Sequence, residues 1–246
     1  MFCPACCTSR WPLTFPWCFN GRKANTIMAE SKSMEKETRY YWAFSQLYAL
    51  LSASLRRPSI ELAKSILDGS YAQALGDLMK PMDEPAIKDA LKRVRSFVAQ
   101  VADYLPRNLR LELEVEFNRL FVGPDTVPVA PYESWFVNQV NGERRLMCDA
   151  AFEVRRSYQE AGFVLDNGYR DLPDHMATEL RFVSELTKRM AQSPDSIVQD
   201  ETRLALFLEN HLKLWAQDFA NGVSQHSRCA YYQGVAALTA TVVELS

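Results

Sequence analysis

Residues 40–55 read YYWAFSQLYALLSASL. Tyr40, Phe44, Leu47, Tyr48, Leu51 and Leu55 recur at steps of three and four, the spacing that stacks side chains along one face of an α-helix. The same rhythm repeats down the chain. Pro58 stops this helix, and Ser59 is placed to cap a second that runs to Asp68-Gly69. Asp83 is expected to cap a longer helix carrying Ile87, Leu91, Val94, Val98, Val101 and Leu105, ended by Pro106. Asn108 is read as the start of the next, with Leu109, Leu113, Phe117, Leu120 and Phe121 before Gly123-Pro124.

From residue 123 to about 142 the texture changes. This stretch holds Pro124, Pro128 and Pro131, the aromatics Tyr132, Trp135 and Phe136, and an Asn141-Gly142 turn. A loop this long with its own aromatics is more often functional than merely connective. Helices resume over residues 147–161, closed by Gly162. Pro173 marks another helix start, where its missing N–H costs nothing. That helix carries Leu180, Val183, Leu186 and Met190. A further one carries Leu204, Leu208, Leu212, Trp215 and Phe219 up to Asn221-Gly222, and the last carries Tyr231, Val235, Leu238, Val242 and Leu245. No stretch alternates with period two, and there is no βαβ rhythm and no repeat of fixed length. The expected fold is all-α, a single helical bundle of about eight to ten helices over residues 36–246.

The first 35 residues stand apart. Cys3, Cys6, Cys7 and Cys18 crowd together there, whereas Cys148 and Cys229 are isolated in the body, a pattern that fits a reducing compartment and not a disulfide framework. One C-x-x-C with a distant fourth cysteine meets four-ligand zinc spacing only loosely, so no metal is expected. Pro4, Pro12 and Pro16 break the apolar stretch a secretory signal needs. Residues 1–35 are therefore read as a disordered extension, or as sequence ahead of a true start at Met28 or Met34.

With 28 basic and 30 acidic side chains the formal charge is −2, which offers no broad surface for nucleic acid. No apolar run reaches the roughly 18 residues of a membrane span, so no stable insertion is expected. Only His175, His211 and His226 are available as imidazoles. H-E-x-x-H, paired E-x-x-H, the two phosphate-cradling glycine motifs and G-x-S-x-G are all missing from the sequence, which removes the commonest enzyme classes and leaves no motif that calls for a cofactor.

Two segments remain. The first is Glu116-Phe117-Asn118-Arg119-Leu120-Phe121-Val122-Gly123-Pro124, continuing to Pro131-Tyr132-Glu133-Ser134-Trp135. The second is Asp171-Leu172-Pro173-Asp174-His175-Met176. Their plain readings are aromatics folding back over the core and a helix start at which Asp174 caps free N–H groups. Together the segments resemble the TorD/DmsD branch of the NarJ-like redox-enzyme maturation chaperones. In that branch a helix ending E-x-x-R-L-F-x-G-P leads to P-P-Y-E-S, and a P-D-H-L helix follows about forty residues later. Glu116, Arg119, Leu120, Phe121, Gly123 and Pro124 fit the first part. Pro131, Tyr132, Glu133 and Ser134 fit the second, with Ala130 in place of the leading proline. Pro173, Asp174 and His175 fit the third, with Met176 for leucine. The stretch Phe207-Leu208-x-x-His211-Leu212-x-x-Trp215 looks like the family's late helix.

The resemblance implies a cytoplasmic chaperone, not an enzyme. It implies as partners a molybdenum-containing oxidoreductase subunit and its twin-arginine signal peptide, held until the molybdopterin cofactor is inserted. The chaperone acts as a monomer or a homodimer, and no cofactor of its own is expected. From the chemistry of such a peptide, Phe121, Tyr132 and Trp135 are expected to line an apolar groove, and Glu133, Asp171 and Asp174 to form a negative rim. His175 is expected to hold Asp174 or donate to the peptide, and Ser134 stands beside Glu133 in the same site. Removing Asp174 or His175 is expected to weaken binding without harm to the fold. Two other readings stay open: a helical hydrolase using Glu133, Asp174 and His175, and an assembly subunit with no signal-peptide role.

Overall fold

The structure, a computed structural model, describes residues 21–123, 127–137, 139–140, 143–144, 146–165, 171–193 and 197–246, with side chains from residue 38 onward except in the two short strands. The four N-terminal cysteines, Pro124 and the Asn141-Gly142 turn lie outside these residues. The chain divides at residue 37, and Thr38–Ser246 form one compact unit.

The first helix, α1 (Gly21–Ser54), begins well ahead of residue 36. In it Leu47, Tyr48 and Leu51 are buried with Leu55 just beyond, as their spacing requires, while Tyr40 at the head of the series is exposed. Ser59 caps α2 (Ile60–Leu67), its hydroxyl accepting from the Leu62 N–H at 3.1 Å. The sequence reading passed over α3 (Ser70–Met79). It is short and interrupted by Gly76, yet Tyr71, Leu75 and Met79 bury one face at steps of four. In α4 (Pro85–Gln100) the cap is Glu84 and Pro85 opens the helix, while the expected cap, Asp83, pairs with Lys88. Likewise Pro106, not Asn108, opens α5 (Pro106–Phe117), because proline's fixed φ suits the first helical position.

Five residues of π-helix, Asn118–Val122, extend α5 and end at Gly123. Gly123 has φ 56° and ψ 153°, a conformation open essentially only to glycine. Beyond it the Val129 N–H returns to the Leu120 carbonyl at 3.1 Å. Glu116 and Arg119 of the motif form a clamp. The Arg119 guanidinium donates to both Glu116 oxygens at 2.8 and 2.9 Å and to the His226 carbonyl at 2.6 Å. The Ser227 hydroxyl and Arg228 N–H complete it on Glu116 Oε1.

The five-residue α6 (Glu133–Val137) leads to a hairpin of β1 (Gln139–Val140) and β2 (Glu143–Arg144), which the all-helical reading did not contain. Then follow α7 (Asp149–Glu160), α8 (Met176–Gln192), α9 (Ile197–Phe207), a second π stretch Leu208–Leu212, α10 (Lys213–His226) and α11 (Ala230–Leu245). Among the described residues, ten helices and the short α6 make the body all-α, as the periodicity indicated. The expected stop at Asn221-Gly222 does not occur; α10 runs on to His226. Gly222 instead lets Val129 pack tightly, since a Cβ there would lie 3.3 Å from both valine methyls.

The last helix, α11, packs along α4 and α10 and is buried on nearly every side, from Tyr231 and Tyr232 to Val242 and Val243. Each large apolar side chain buried there contributes about 1.5–3 kcal/mol. The α1 and α8 helices are joined by two serines: Ser52 Oγ donates to the Ala177 carbonyl at 2.5 Å, and Ser184 Oγ to the Ser45 carbonyl at 2.9 Å. No described helix is long and apolar enough to cross a membrane.

Gly234 sets how closely α11 approaches α4. A Cβ at that position would lie 2.7 Å from Val94 Cγ2 and 3.1 Å from the Ala90 carbonyl oxygen. Gly234→Ala therefore lowers stability by about 1–3 kcal/mol through overpacking, exceeding the roughly 1 kcal/mol gained from helix propensity. Gly76→Ala in α3 meets only the mobile tip of Arg95 and is neutral or stabilising. Urea unfolding of both variants tests this; equal shifts in one direction refute the packing account.

Candidate functional site

The Pro131–Glu133 segment runs antiparallel to Asp174–Met176. The Glu133 N–H donates to the Asp174 carbonyl and the Met176 N–H to the Pro131 carbonyl, both at 2.9 Å, with Tyr132 opposite His175. One Asp174 carboxylate oxygen accepts the Ser134 N–H at 2.9 Å, so it caps α6 from forty residues away in sequence. His175 is the N-cap of α8: its Nδ1 accepts the Ala177 N–H at 3.0 Å. The ring proton therefore sits on Nε2, which faces Asp171 Oδ2 at 4.0 Å. Asp171 Oδ1 accepts from the Tyr132 hydroxyl at 2.6 Å and from the Leu172 N–H at 2.9 Å, and the Tyr132 ring stands edge-on to His175.

Behind this junction lies a buried acidic group. Glu133 is 2 % exposed, and Asp174 and Glu179 not at all. The second π stretch turns His211 inward, where its Nδ1 meets the two Glu133 oxygens at 3.0 and 3.2 Å. Trp215 Nε1 makes a long 3.4 Å hydrogen bond to Glu179 Oε2. Burial pushes the Glu179 carboxyl well above the usual range, and neighbouring Glu133 and Asp174 push it the same way. Glu133 is raised by burial too, an effect His211 partly offsets. The upward shift favours the neutral form of Glu179, which eases the approach of these carboxyls in a dry interior. Asp174 Oδ1, Glu179 Oε1 and Ser134 Oγ have no hydrogen-bond partner among the described residues. No cluster there has the geometry to hold a metal ion.

Three hollows are lined by α7, α8 and the segments around them. One of about 580 Å³ is lined by Met147, Phe152, Tyr158, Phe163, Val164 and Leu165, with Asp171 and Arg155 at its edge. A neighbour of about 680 Å³ shares the wall 162–165 and is lined by Arg56, Arg181, Arg189 and Glu185. A third, of about 410 Å³, lies between α7 and the α9–α10 junction. Met147, at the mouth of the first, has φ 59°, the one non-glycine residue with positive φ among those described.

Of the residues expected to share a site, Tyr132, Glu133, Ser134, Asp171, Asp174 and His175 do come together. Phe121 does not join them; it is a core residue stacked on Phe219 and edge-on to Phe117 and Tyr232. Trp135 is half-buried on α6. The expected negative rim needs correcting. Glu133 and Asp174 point into the protein, and only Asp171, its side chain 44 % exposed, stands at a rim. His175 does not serve Glu133 as a hydrolase would require, since its Nδ1 is occupied by the α8 N-terminus. The histidine that pairs with Glu133 is His211. Sequence reasoning missed Glu179 and His211, although each had a signal: an acid four residues after a helix cap within an apolar face, and a histidine four residues before a tryptophan.

Asp174→Ala leaves the buried Ser134 N–H without an acceptor, so it destabilises by about 1–3 kcal/mol, contrary to the expectation that the fold would be unharmed. Asp171→Asn stays within about 0.5 kcal/mol, as exposed sites do. Denaturant unfolding of the pair checks this; an unaffected Asp174→Ala protein refutes it. Burial lowers the His175 pKa from 6.5 to about 4, with Asp171 opposing and Arg56 assisting. The unfolded chain takes up this proton below pH 6.5 and the folded protein only near 4. His175 therefore stabilises fully above that window and loses its contribution, on the order of 3 kcal/mol, as pH falls through it. His175→Asn keeps an N-cap acceptor, so its stability relative to the parent rises from pH 6.5 to 4; parallel pH profiles refute this.

Residues 88–221 match the family described as nitrate reductase delta subunit. The chain is 28 % identical over 217 residues to the chaperone protein TorD of Vibrio parahaemolyticus, covering 86 % of this chain and 93 % of that one. It is 24 % identical over 216 residues to the TorD of Aliivibrio salmonicida, with the same coverages. Among solved structures, a redox enzyme maturation protein from Archaeoglobus fulgidus aligns with a TM-score of 0.47 at 21 % identity, over 82 % of this chain and 93 % of that one. The match spans more than half of the sequence, and both relatives carry the name chaperone protein TorD. The chain belongs to the nitrate reductase delta subunit family, the NarJ/TorD-like group of redox-enzyme maturation chaperones.

Proposed function

We propose that this chain is a cytoplasmic chaperone that binds the twin-arginine signal peptide of a molybdopterin-dependent reductase or dehydrogenase subunit, holding the subunit back from export while its cofactor is inserted. The observation that carries this reading is the apolar hollow of about 580 Å³ beside the motif junction, with Asp171 at its lip. Its walls include unusually exposed apolar groups: Met147 at 55 %, Phe152 at 59 % and Val164 at 82 %. An apolar stretch of peptide seated there removes these groups from water, at about 25 cal/mol per Å² buried. Asp171 offers a carboxylate that is oriented in advance by Tyr132 and Leu172.

In this reading the motif residues divide by depth. Asp171, Tyr132 and Trp135 touch the peptide. Glu133, Ser134, Asp174 and His175 hold those residues in place from within, and Phe121 fixes the helix that leads into the loop. Met147, held in the left-handed region, presents its side chain at the mouth of the hollow.

Calorimetric titration with a synthetic peptide of two arginines followed by an apolar segment tests the proposal. Phe152→Ser, an exposed position whose loss leaves the core intact, is expected to weaken binding by about tenfold or more, and Asp171→Asn by several-fold. Unchanged affinity in both variants removes the hollow from the binding site.

A further inference from the structure

We propose that Met147 and Phe152, at the N-terminus of α7, are the two jaws of a clamp that closes on an apolar side chain of the bound leader, and that Met147 decides which side chains the clamp accepts. This deepens the peptide-binding reading and rests on it.

The first observation is where the two residues stand on their helix. Cys148 is the N-cap of α7, so Met147 occupies the position before the cap and Phe152 the fourth position of the helix. Apolar residues at these two places commonly fold over one another, a staple that fixes how the chain enters a helix. Here the staple is open. Met147 is 55 % exposed and Phe152 59 %, and neither belongs to the core or to the side chains packed on it. Both line the apolar hollow.

The second observation is the backbone of Met147. At a φ of 59° a side chain crowds its own carbonyl, and the other described residues with positive φ, Gly69, Gly123 and Gly162, are all glycines. Strain of this kind persists where it serves a purpose the surrounding structure enforces. In the free protein Met147 buries too little of its side chain to offset the cost. A guest in the hollow supplies the missing burial.

The rest of the lining identifies the guest. Tyr158 and Phe163, their rings edge-on at 5.1 Å, make a fixed aromatic wall, while Ala151 and Gly162 are small and leave room beside it. Met147 is the adaptable part: an unbranched, polarizable side chain fills gaps of differing shape. Such a hollow selects for apolar character and tolerates both branched and aromatic side chains. At its rim Asp171 is held by the Tyr132 hydroxyl and the Leu172 N–H, whereas Arg155, the other charged group of the lining, is a long exposed side chain. The fixed charge at the rim is thus negative, which suits an apolar stretch that has a cation beside it, as a twin-arginine leader has.

Calorimetric titration of the full chain with two diarginine peptides, one with leucine and one with phenylalanine in the apolar stretch, tests the clamp. The parent protein is expected to bind the two within about threefold of each other. Met147→Gly removes the jaw and the strain together. Both peptides are then expected to bind about five- to tenfold more weakly, while the urea midpoint of unfolding holds or rises. Met147→Leu restores apolar bulk with a stiffer, branched tip. It is expected to recover affinity for the leucine peptide and to widen the preference over the phenylalanine peptide to about tenfold. The clamp is overturned if Met147→Gly binds like the parent, if its affinity falls only together with its unfolding midpoint, or if Met147→Leu leaves the preference unchanged; each result leaves the apolar hollow standing. If neither peptide binds the parent protein, the signal-peptide reading falls, and the clamp with it.

Discussion

Three hydrogen bonds hold the Pro131–Ser134 segment to the start of α8: two between backbones and one from the Ser134 N–H to the Asp174 carboxylate, each 2.9 Å long. A chain segment between helices has no ladder of its own, so every buried N–H and C=O in it needs a partner from elsewhere. Asp174 supplies two of them, one through its carbonyl and one through its side chain. The motif thus reads as a matched pair of segments, each satisfying the other's backbone, and the prolines at 131 and 173 stiffen both approaches. With this junction in place, Tyr132 and Asp171 are held at the surface in a defined geometry.

The acids behind the junction are costly to bury and are tolerated for a specific reason. Three carboxyls, Glu133, Asp174 and Glu179, lie in one dry region, with His211 Nδ1 facing Glu133 at 3.0 Å. Ionising all of them would place like charges together without solvent, and burial with these neighbours raises the Glu179 carboxyl well above the usual range, which favours its neutral form. The group joins α6, α8 and the π stretch before α10.

Most of the helical body was legible in the spacing of apolar residues, because 3.6-residue periodicity is a local signal. What escaped the reading was local chemistry overruled by contacts. Gly222 looked like a terminator and is instead a point of close approach for Val129. Asp83 and Asn108 looked like caps, but Pro85 and Pro106 opened the helices. Periodicity also cannot reveal the two π stretches, whose extra residue per turn rotates Phe121 and His211 relative to an ideal helix. At the site, residue identity pointed correctly to the segments that meet. It did not reveal depth. A glutamate or aspartate in a polar-looking loop is by default a surface group, and only the packing shows that Glu133 and Asp174 face inward while Asp171 faces out.

A chaperone must release what it binds, which limits how much of its surface can be both apolar and rigid. In this protein the rigid part is the buried junction, and the exposed apolar groups sit on α7 and the segment after it. The inner face of α7 is packed, with Val154 and Tyr158 buried and the Tyr158 ring against Phe182 and Phe207, while Phe152 on its outer face is exposed and two arginines hold its C-terminal end. Arg189 donates to the Ala161 carbonyl at 2.5 Å, and Arg203 to that of Glu160 at 3.2 Å. The buried junction thus sets position from within, and the outer face of α7 leaves apolar surface exposed beside the hollow without loosening the core that its inner face joins.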